Sequence, residues 1–496
     1  MDLVRHFIAG QPHQATPERT GEVTNPATGE VIAEVAFATP ADVDLAVKAA
    51  KEAFAQWRYS SLARRSAVLF KFRELYAKHA DEVAKALTRE HGKVLFDARG
   101  EVQRGLEVVE FACGIPQLLK GELSEGVSSL VDCYQIRQPL GVVAGIAPFN
   151  FPAMVPQWMY PIAIACGNTF VLKPSEQDPS ASNIAAELWS EAGLPPGVFN
   201  VVHGDKVAVD RIIEHPDIAA ISFVGSTPVA QYIYENGLKR GKRVQALAGA
   251  KNHMVVLPDA DIELAADSAV NAGFGSAGER CMAVSVLVPV GKVADQLMPM
   301  IEERIAKVRV GNGMDDVDMG PLVTKAHFDR VRSYVDKGVA EGAELVVDGR
   351  GLKVPGHEKG YFLGPCLFDK VNTDMTIYRE EIFGPVLSTV RVDTFEQAMA
   401  MIDANPWANG VALFTNDGGA ARKFQTEVEV GMVGINVPIP VPMAYHSFGG
   451  WKDSLFGDYH VHGIEGIRFF TRTKAVSVRW PDPSLRGKNL GFPTQK

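Results

Sequence analysis

From Gln138 to Leu172 the chain runs 35 residues without a charged side chain. Such a stretch has two homes, a bilayer or the interior of a large fold. Five prolines decide between them: Pro139, Pro148, Pro152, Pro156 and Pro161. Each removes a backbone donor, and Asn150, Gln157 and Asn168 add polar groups that lipid could not satisfy. The stretch therefore predicts buried core cut into short elements, with no membrane span. The chain has 496 residues, enough to enclose such a core in roughly three domains.

The flanking pattern gives the fold class. Residues 141–147, 168–172, 199–202 and 219–224 are short apolar runs. Helical periodicity fills the gaps at 155–166, 181–192 and 207–214. Strands alternating with helices imply a parallel sheet covered on both faces, a doubly wound α/β unit. A second α/β series begins after residue 251. Its strands are expected at 254–257, 285–290, 345–347, 387–390, 411–414 and 432–437. Helices are expected at 262–273, 293–308, 325–341, 394–403 and 419–427. The N-terminal third is expected to be helical, with a helix start at Thr39-Pro40-Ala41-Asp42 and further helices over 62–90 and 96–114. Residues 130–138 read as an exposed hairpin arm, and the Pro/Gly-rich tail after Trp480 as surface.

Lys+Arg number 50 and Asp+Glu 59, a net charge of 50 − 59 = −9. That balance gives no reason to expect nucleic acid or an anionic membrane as a partner. The five cysteines, Cys113, Cys133, Cys166, Cys281 and Cys366, include no CxxC pair. A disulfide framework or zinc knuckle is not expected, and no histidine spacing suggests a metal site, so a reducing cytoplasm fits. The first residues have no apolar run typical of a secretory leader.

Four places carry candidate chemistry. After the run 219–224 come Gly225, Ser226 and Thr227 and then a helical pattern, a turn suited to a phosphate or simply to capping a helix. Lys173 and Glu176 break the uncharged stretch at a strand end, where they could hydrogen-bond the two ribose hydroxyls of an adenosine. A carboxylate there disfavours a 2′-phosphate, hence NAD over NADP; an exposed ion pair is the plain alternative. Cys281 comes after small residues and Arg280, a cation that would raise its thiolate fraction. Asn150, between Phe149 and Phe151, either ties its own loop or donates to an oxyanion.

Together these segments resemble the aldehyde dehydrogenase superfamily over about residues 5–480. The motifs are Pro148-Phe149-Asn150-Phe151-Pro152, Lys173-Pro174-Ser175-Glu176, Phe223-Val224-Gly225-Ser226-Thr227, Gly278-Glu279-Arg280-Cys281 and Glu380-Glu381-Ile382-Phe383-Gly384-Pro385, in that order. The resemblance implies Cys281 as nucleophile and Asn150 as oxyanion donor. It implies NAD contacts from Phe149, Lys173, Glu176, Gly225, Ser226, Glu381 and Phe383, with Glu381 on the nicotinamide ribose. It implies a Rossmann-like NAD domain (1–118 and 141–249), a second α/β catalytic domain (250–442), and a small β arm for oligomerisation with the C-terminal segment (119–140 and 443–496). A homodimer or homotetramer is expected.

One departure stands out. The superfamily usually carries Glu-Leu-Gly-Gly-Lys after the nucleotide domain, and here the segment is Leu247-Ala248-Gly249-Ala250-Lys251. Leu247 cannot activate water. The acyl-enzyme should wait for a thiol such as coenzyme A, which resembles the CoA-acylating methylmalonate-semialdehyde dehydrogenase branch. Segments 104–113, 278–282 and 447–452 resemble that branch too. A semialdehyde carries a carboxylate, and the resemblance points to Arg104 and Arg280 to grip it. The plain alternatives are a helix-surface pair of Arg104 with Glu101 or Glu107, and support of the Cys281 loop by Arg280. The other functions weighed are a hydrolytic dehydrogenase using Glu279 as base, and a non-catalytic protein on the same scaffold.

Overall fold

The uncharged stretch folds into the most enclosed part of the molecule. Strand Val142–Ile146, helix Met154–Ala165 and strand Thr169–Lys173 are buried along their whole lengths. The structure is a computed structural model describing residues 2–128 and 130–480. The tail after Trp480, read from sequence as surface, lies outside the described residues.

The first large sheet has five parallel strands at its centre, in the order Arg243–Leu247, Ile218–Val224, Val142–Ile146, Thr169–Lys173 and Phe199–Val201. Leu455–Phe456 closes one side antiparallel, and Phe7–Ile8 with Gln11–Pro12 closes the other. The chain leaves Val142–Ile146 in one direction through 169–173 and 199–201, then returns to its opposite side with Ile218–Val224. That reversal opens a crevice beyond the carboxyl ends of Val142–Ile146 and Ile218–Val224. The second sheet has seven strands, ordered Glu344–Val347, Cys366–Asp369, Val386–Thr389, Val284–Pro289, Asn252–Val256, Gly410–Phe414 and Met432–Ile435; its pairs are parallel except the first. The link from Leu247 to Asn252 joins the two sheets directly. A separate antiparallel sheet holds Leu123–Ser128, Val131–Pro139 and Thr471–Arg479, so the arm read at 130–138 gains a third strand from the far end of the chain.

Some expectations need correction. The N-terminal third is not helical throughout, because residues 2–37 form strands, chiefly Arg19–Asn25 paired with Glu30–Phe37. Helices begin only at Pro40, where Thr39 caps the helix as the sequence predicts and Asp42 adds a reciprocal bond to the Thr39 backbone. Two strands also escaped a purely apolar pattern. Arg243–Leu247 hides Gln245, whose side chain accepts from Ser222 Oγ at 2.8 Å and donates to the carbonyls of Tyr459 and His460. Cys366–Asp369 hides Asp369, which meets Arg391 at 2.6 Å. A buried polar side chain with its partners in place is compatible with a strand but breaks its hydropathic signature. The helical region expected over 62–90 consists of two helices, Leu62–Lys78 and Ala80–His91, separated at His79. Among the described residues, no helix is long and apolar enough to cross a membrane.

Candidate active site

A cavity of about 450 Å³ sits at the crevice where the sheet order reverses. Phe149 and Asn150 line it from the loop after Val142–Ile146, and Gly225 and Ser226 from the end of Ile218–Val224. Cys281, Glu381 and Phe383 reach it from the second sheet's side. Seven of the candidate residues thus meet in one space.

The turn at Gly225 opens helix Thr227–Lys239 toward this cavity. Ser226 is the cap residue, yet its side chain makes no capping bond, so the first turn keeps amide donors for a ligand. Thr227 Oγ1 accepts from the Gly249 N–H at 3.0 Å and from Trp407 Nε1 at 3.2 Å, tying the helix start to the inter-sheet link. A Cβ on Gly249 would come within 2.7 Å of a Glu381 oxygen. The other Glu381 oxygen accepts from the Ala250 N–H at 2.9 Å, and burial raises this carboxyl above its usual range. A phosphate fits the helix start, and hydroxyl groups fit the carboxylate of Glu381. The residues present therefore suit a dinucleotide.

Cys281 stands on a strained turn. Ser276 and Ala277 have φ of 53° and 52°, left-handed values that cost a non-glycine residue free energy. Gly278 continues the run at φ 72°, and a Cβ there would meet the Gly384 carbonyl at 2.1 Å. Two side-chain amides hold the carbonyl of Cys281 itself: Asn252 Nδ2 donates to it at 2.9 Å, and Asn409 Nδ2 donates to the same oxygen at 3.1 Å. Cys281 keeps part of its surface open. The surrounding protein still desolvates it, which pushes the thiol up to about 12, and Glu381 adds to the rise. Arg280 does pull the thiol down, as expected, but too weakly to offset burial. Its guanidinium sits 2.8 Å from Asp97.

The Asn150 loop is held differently. Lys93 Nζ donates to the Asn150 carbonyl at 2.6 Å and meets Glu101 at 2.6 Å. Asn150 itself is 4% exposed. Phe149 packs edge-on against Phe383, with ring centroids 5.9 Å apart, and lies near His91 and His327 at 6.0 Å each. His327 Nε2 donates to the Phe383 carbonyl at 2.7 Å, and Arg330 Nη2 donates to the Glu381 carbonyl at 3.1 Å.

The remaining candidates lie outside this lining. Lys173 and Glu176 are paired at 2.7 Å, with Lys173 ending its strand and Glu176 just past it. Arg104 pairs with Glu107 at 2.6 Å, as the plain alternative had it, and also donates to the Pro442 carbonyl. Glu279 is wholly buried and does not line the cavity. One of its oxygens accepts from the Val323 N–H, and His327 and His91 stand 3.5 Å and 3.8 Å off. Thr227, part of the turn singled out from sequence, also lines the cavity, while sequence reading missed His327, Arg330, Tyr334 and Trp407, which line it too. Nothing local marks them, since His327, Arg330 and Tyr334 share one ordinary amphipathic helix, Lys325–Ala340.

A sequence profile described as the aldehyde dehydrogenase family matches residues 13–476. The chain is 55% identical to a malonate-semialdehyde dehydrogenase of Pseudomonas aeruginosa, covering 100% of both. It is 50% identical to malonate-semialdehyde dehydrogenase 1 of Geobacillus thermodenitrificans, covering 97% of this chain and 99% of that one. Among solved structures, a methylmalonate-semialdehyde dehydrogenase from Oceanimonas doudoroffii superposes with a TM-score of 0.96 at 52% identity, covering 98% of this chain and 100% of that one. A protein of Sinorhizobium meliloti, assigned as a methylmalonate-semialdehyde dehydrogenase and solved with NAD, superposes at 0.96 with 53% identity, covering 97% and 99%.

Proposed function

This chain belongs to the aldehyde dehydrogenase family, and on that premise we propose that it oxidises malonate or methylmalonate semialdehyde with NAD and passes the acyl group to coenzyme A. The relatives' names support the substrate, and the bound NAD of one neighbour supports the cofactor. The observation that carries the choice of acceptor is Leu247. It is 3% exposed at the end of its strand and packed in the first sheet's core, so no carboxylate stands where a water-activating base is usual. Glu279 does not replace it, being sealed outside the cavity lining with its carboxyl held well above the usual range by burial.

In this reading Gly225, Ser226, Lys173, Glu176, Glu381, Phe149 and Phe383 hold NAD, which when bound supplies a hydride acceptor. Cys281 gives up its proton to solvent water and adds as the thiolate, through Sγ, to the aldehyde carbon. The Asn150 amide and the Cys281 N–H take the oxyanion, each such donor typically contributing ~3–4 kcal/mol at the transition state. Loss of hydride from that adduct leaves a thioester on Cys281. The thioester carbonyl can stabilise the carbanion formed as the β-carboxylate departs as CO2, and a proton from water then completes the acetyl or propionyl group. A thiol then displaces Cys281, giving acetyl-CoA or propionyl-CoA. Arg104 and Arg280 grip the substrate carboxylate, each sharing the guanidinium now held by Glu107 or Asp97. The arm of Leu123–Ser128, Val131–Pro139 and Thr471–Arg479 joins subunits into a dimer or tetramer, and the five free cysteines suit a reducing cytoplasm.

The test is turnover of both semialdehydes with NAD, with and without coenzyme A, with the acyl product identified. A brief NADH burst that resumes only when coenzyme A is added supports the reading. Sustained NADH release and free acid without coenzyme A overturn it in favour of hydrolysis. Cys281→Ala should abolish NADH formation, and Arg104→Leu should raise KM for semialdehydes far more than for propanal.

A further inference from the structure

We propose that the buried Lys93–Glu101 pair is a positioning clamp that fixes the 148–154 loop from both sides and so sets the aim of the Asn150 amide. Both side chains are almost fully enclosed, at 1% and 2% exposure. Lys93 Nζ donates to the Asn150 carbonyl at 2.6 Å and sits 4.5 Å from the centre of the Phe151 ring. Glu101 Oε1 accepts from the backbone N–H groups of Ala153 and Met154 at 2.8 and 3.1 Å. Those amides open helix Met154–Ala165, whose own cap residue, Ala153, offers no side-chain acceptor. Glu101 thus supplies from another helix the anion that this N-terminus lacks.

The two contacts leave the loop little freedom. One end is held at a carbonyl by a cation, and the other is held at two amides by a carboxylate. The cation and the carboxylate hold each other at 2.6 Å. Gly92, at φ +92°, makes the turn that brings Lys93 in after helix Ala80–His91. Stability alone does not account for such a pair, because burying two charges is costly and an apolar pair of similar volume is often as stable or more so. What the ion pair provides is direction. It specifies where a carbonyl and two amides must sit, and Asn150 lies on the short segment that carries all three.

The proposal rests on Asn150 being the oxyanion donor, and its test separates the two claims. Rapid-mixing measurement of the NADH burst, with NAD and semialdehyde, is made on Lys93→Met, Asn150→Ala and the combined variant. Lys93→Met should slow the burst by about 10- to 100-fold through misplacement of the amide, with KM for NAD within about twofold of the parent. In the Asn150→Ala background the same change should slow the burst by no more than about threefold, because the group being aimed is gone. Losses that multiply in full overturn the clamp while leaving Asn150's role intact. An unchanged burst in Asn150→Ala alone overturns the oxyanion reading and the clamp with it. If Lys93→Met does not fold, K93M/E101Q keeps an acceptor for Ala153 and Met154 without a lone buried charge, and the same cycle is run on it. Failure of both to fold overturns a positioning role in favour of a purely structural one.

Discussion

Asn150 and Cys281 reach one cavity on two loops, and the interior secures those loops by different means. The Asn150 loop rests on a cation and a carboxylate, Lys93 and Glu101, both sealed from water. The Cys281 carbonyl rests on neutral amides, Asn252 and Asn409, which share it, while the one ion pair on that loop, Arg280 with Asp97, is partly open to water. Asn252 does more besides, donating to the Ala283 carbonyl and accepting from the Gly410 N–H. A charged anchor concentrates its effect in one contact, since removing either partner strands a buried charge. A set of amide bonds spreads the load, and each bond lost costs only its own share. The contrast matches the two roles proposed. An oxyanion donor must stay put, whereas a nucleophile that gains and loses an acyl group is served by a loop with several modest ties.

Four measurements break or sharpen this contrast. The largest effect expected is from Lys93→Met, which leaves Glu101 buried without its cation and should cost about 3–5 kcal/mol of stability in denaturant melts. Next is Asn252→Ala, which removes three hydrogen bonds around Cys281 and should cost about 2–3 kcal/mol. Equal losses in these two variants would erase the distinction between a charged and a neutral anchor. Asn409→Ala should cost only about 1 kcal/mol, because Asn252 keeps the Cys281 carbonyl satisfied.

The smallest effect is in pH. Burial holds the Glu279 carboxyl well above 4.5 and the His91 imidazole well below 6.5. The folded protein therefore binds a proton at Glu279 that the unfolded chain releases above about pH 4.5, so this group's contribution is lost as pH rises. At His91 the unfolded chain takes up a proton below about pH 6.5 that the folded protein refuses, so its contribution is lost as pH falls. Glu279→Gln should gain thermal stability relative to the parent on going from about pH 5 to about pH 8, by on the order of 1–2 °C. His91→Gln should gain in the opposite direction. A Glu279→Gln advantage that grew toward acid would show that burial does not keep this carboxyl protonated.

Much of this was legible in the chain. The five prolines and the absent charges of 138–172 required a buried, broken segment, and the molecule contains one. The order of strands and helices after residue 141 required two parallel sheets. The motifs at 148–152, 223–227, 278–281 and 380–385 named seven residues that do meet in one cavity. What failed had a common cause. Gln245 and Asp369 disguised their strands because their partners, Ser222 and Arg391, lie far away in sequence. The N-terminal strand Arg19–Asn25 was overlooked because Val23 is its only apolar residue, which leaves little hydropathic signal.

The one-dimensional chain thus determined which residue types are available for chemistry, including the leucine where a carboxylate is usual. It also determined the run of elements that delivers them. It could not determine the state of those groups. Arg280, adjacent to Cys281 in sequence, suggested an activated thiol, yet its guanidinium is engaged by Asp97 and burial raises the thiol instead. Glu101 read from sequence only as a possible surface partner of Arg104, and folding instead pairs it with Lys93 under Asn150. Sequence fixes covalent neighbours, whereas desolvation and charge pairing depend on distances in space between segments that only tertiary packing brings together.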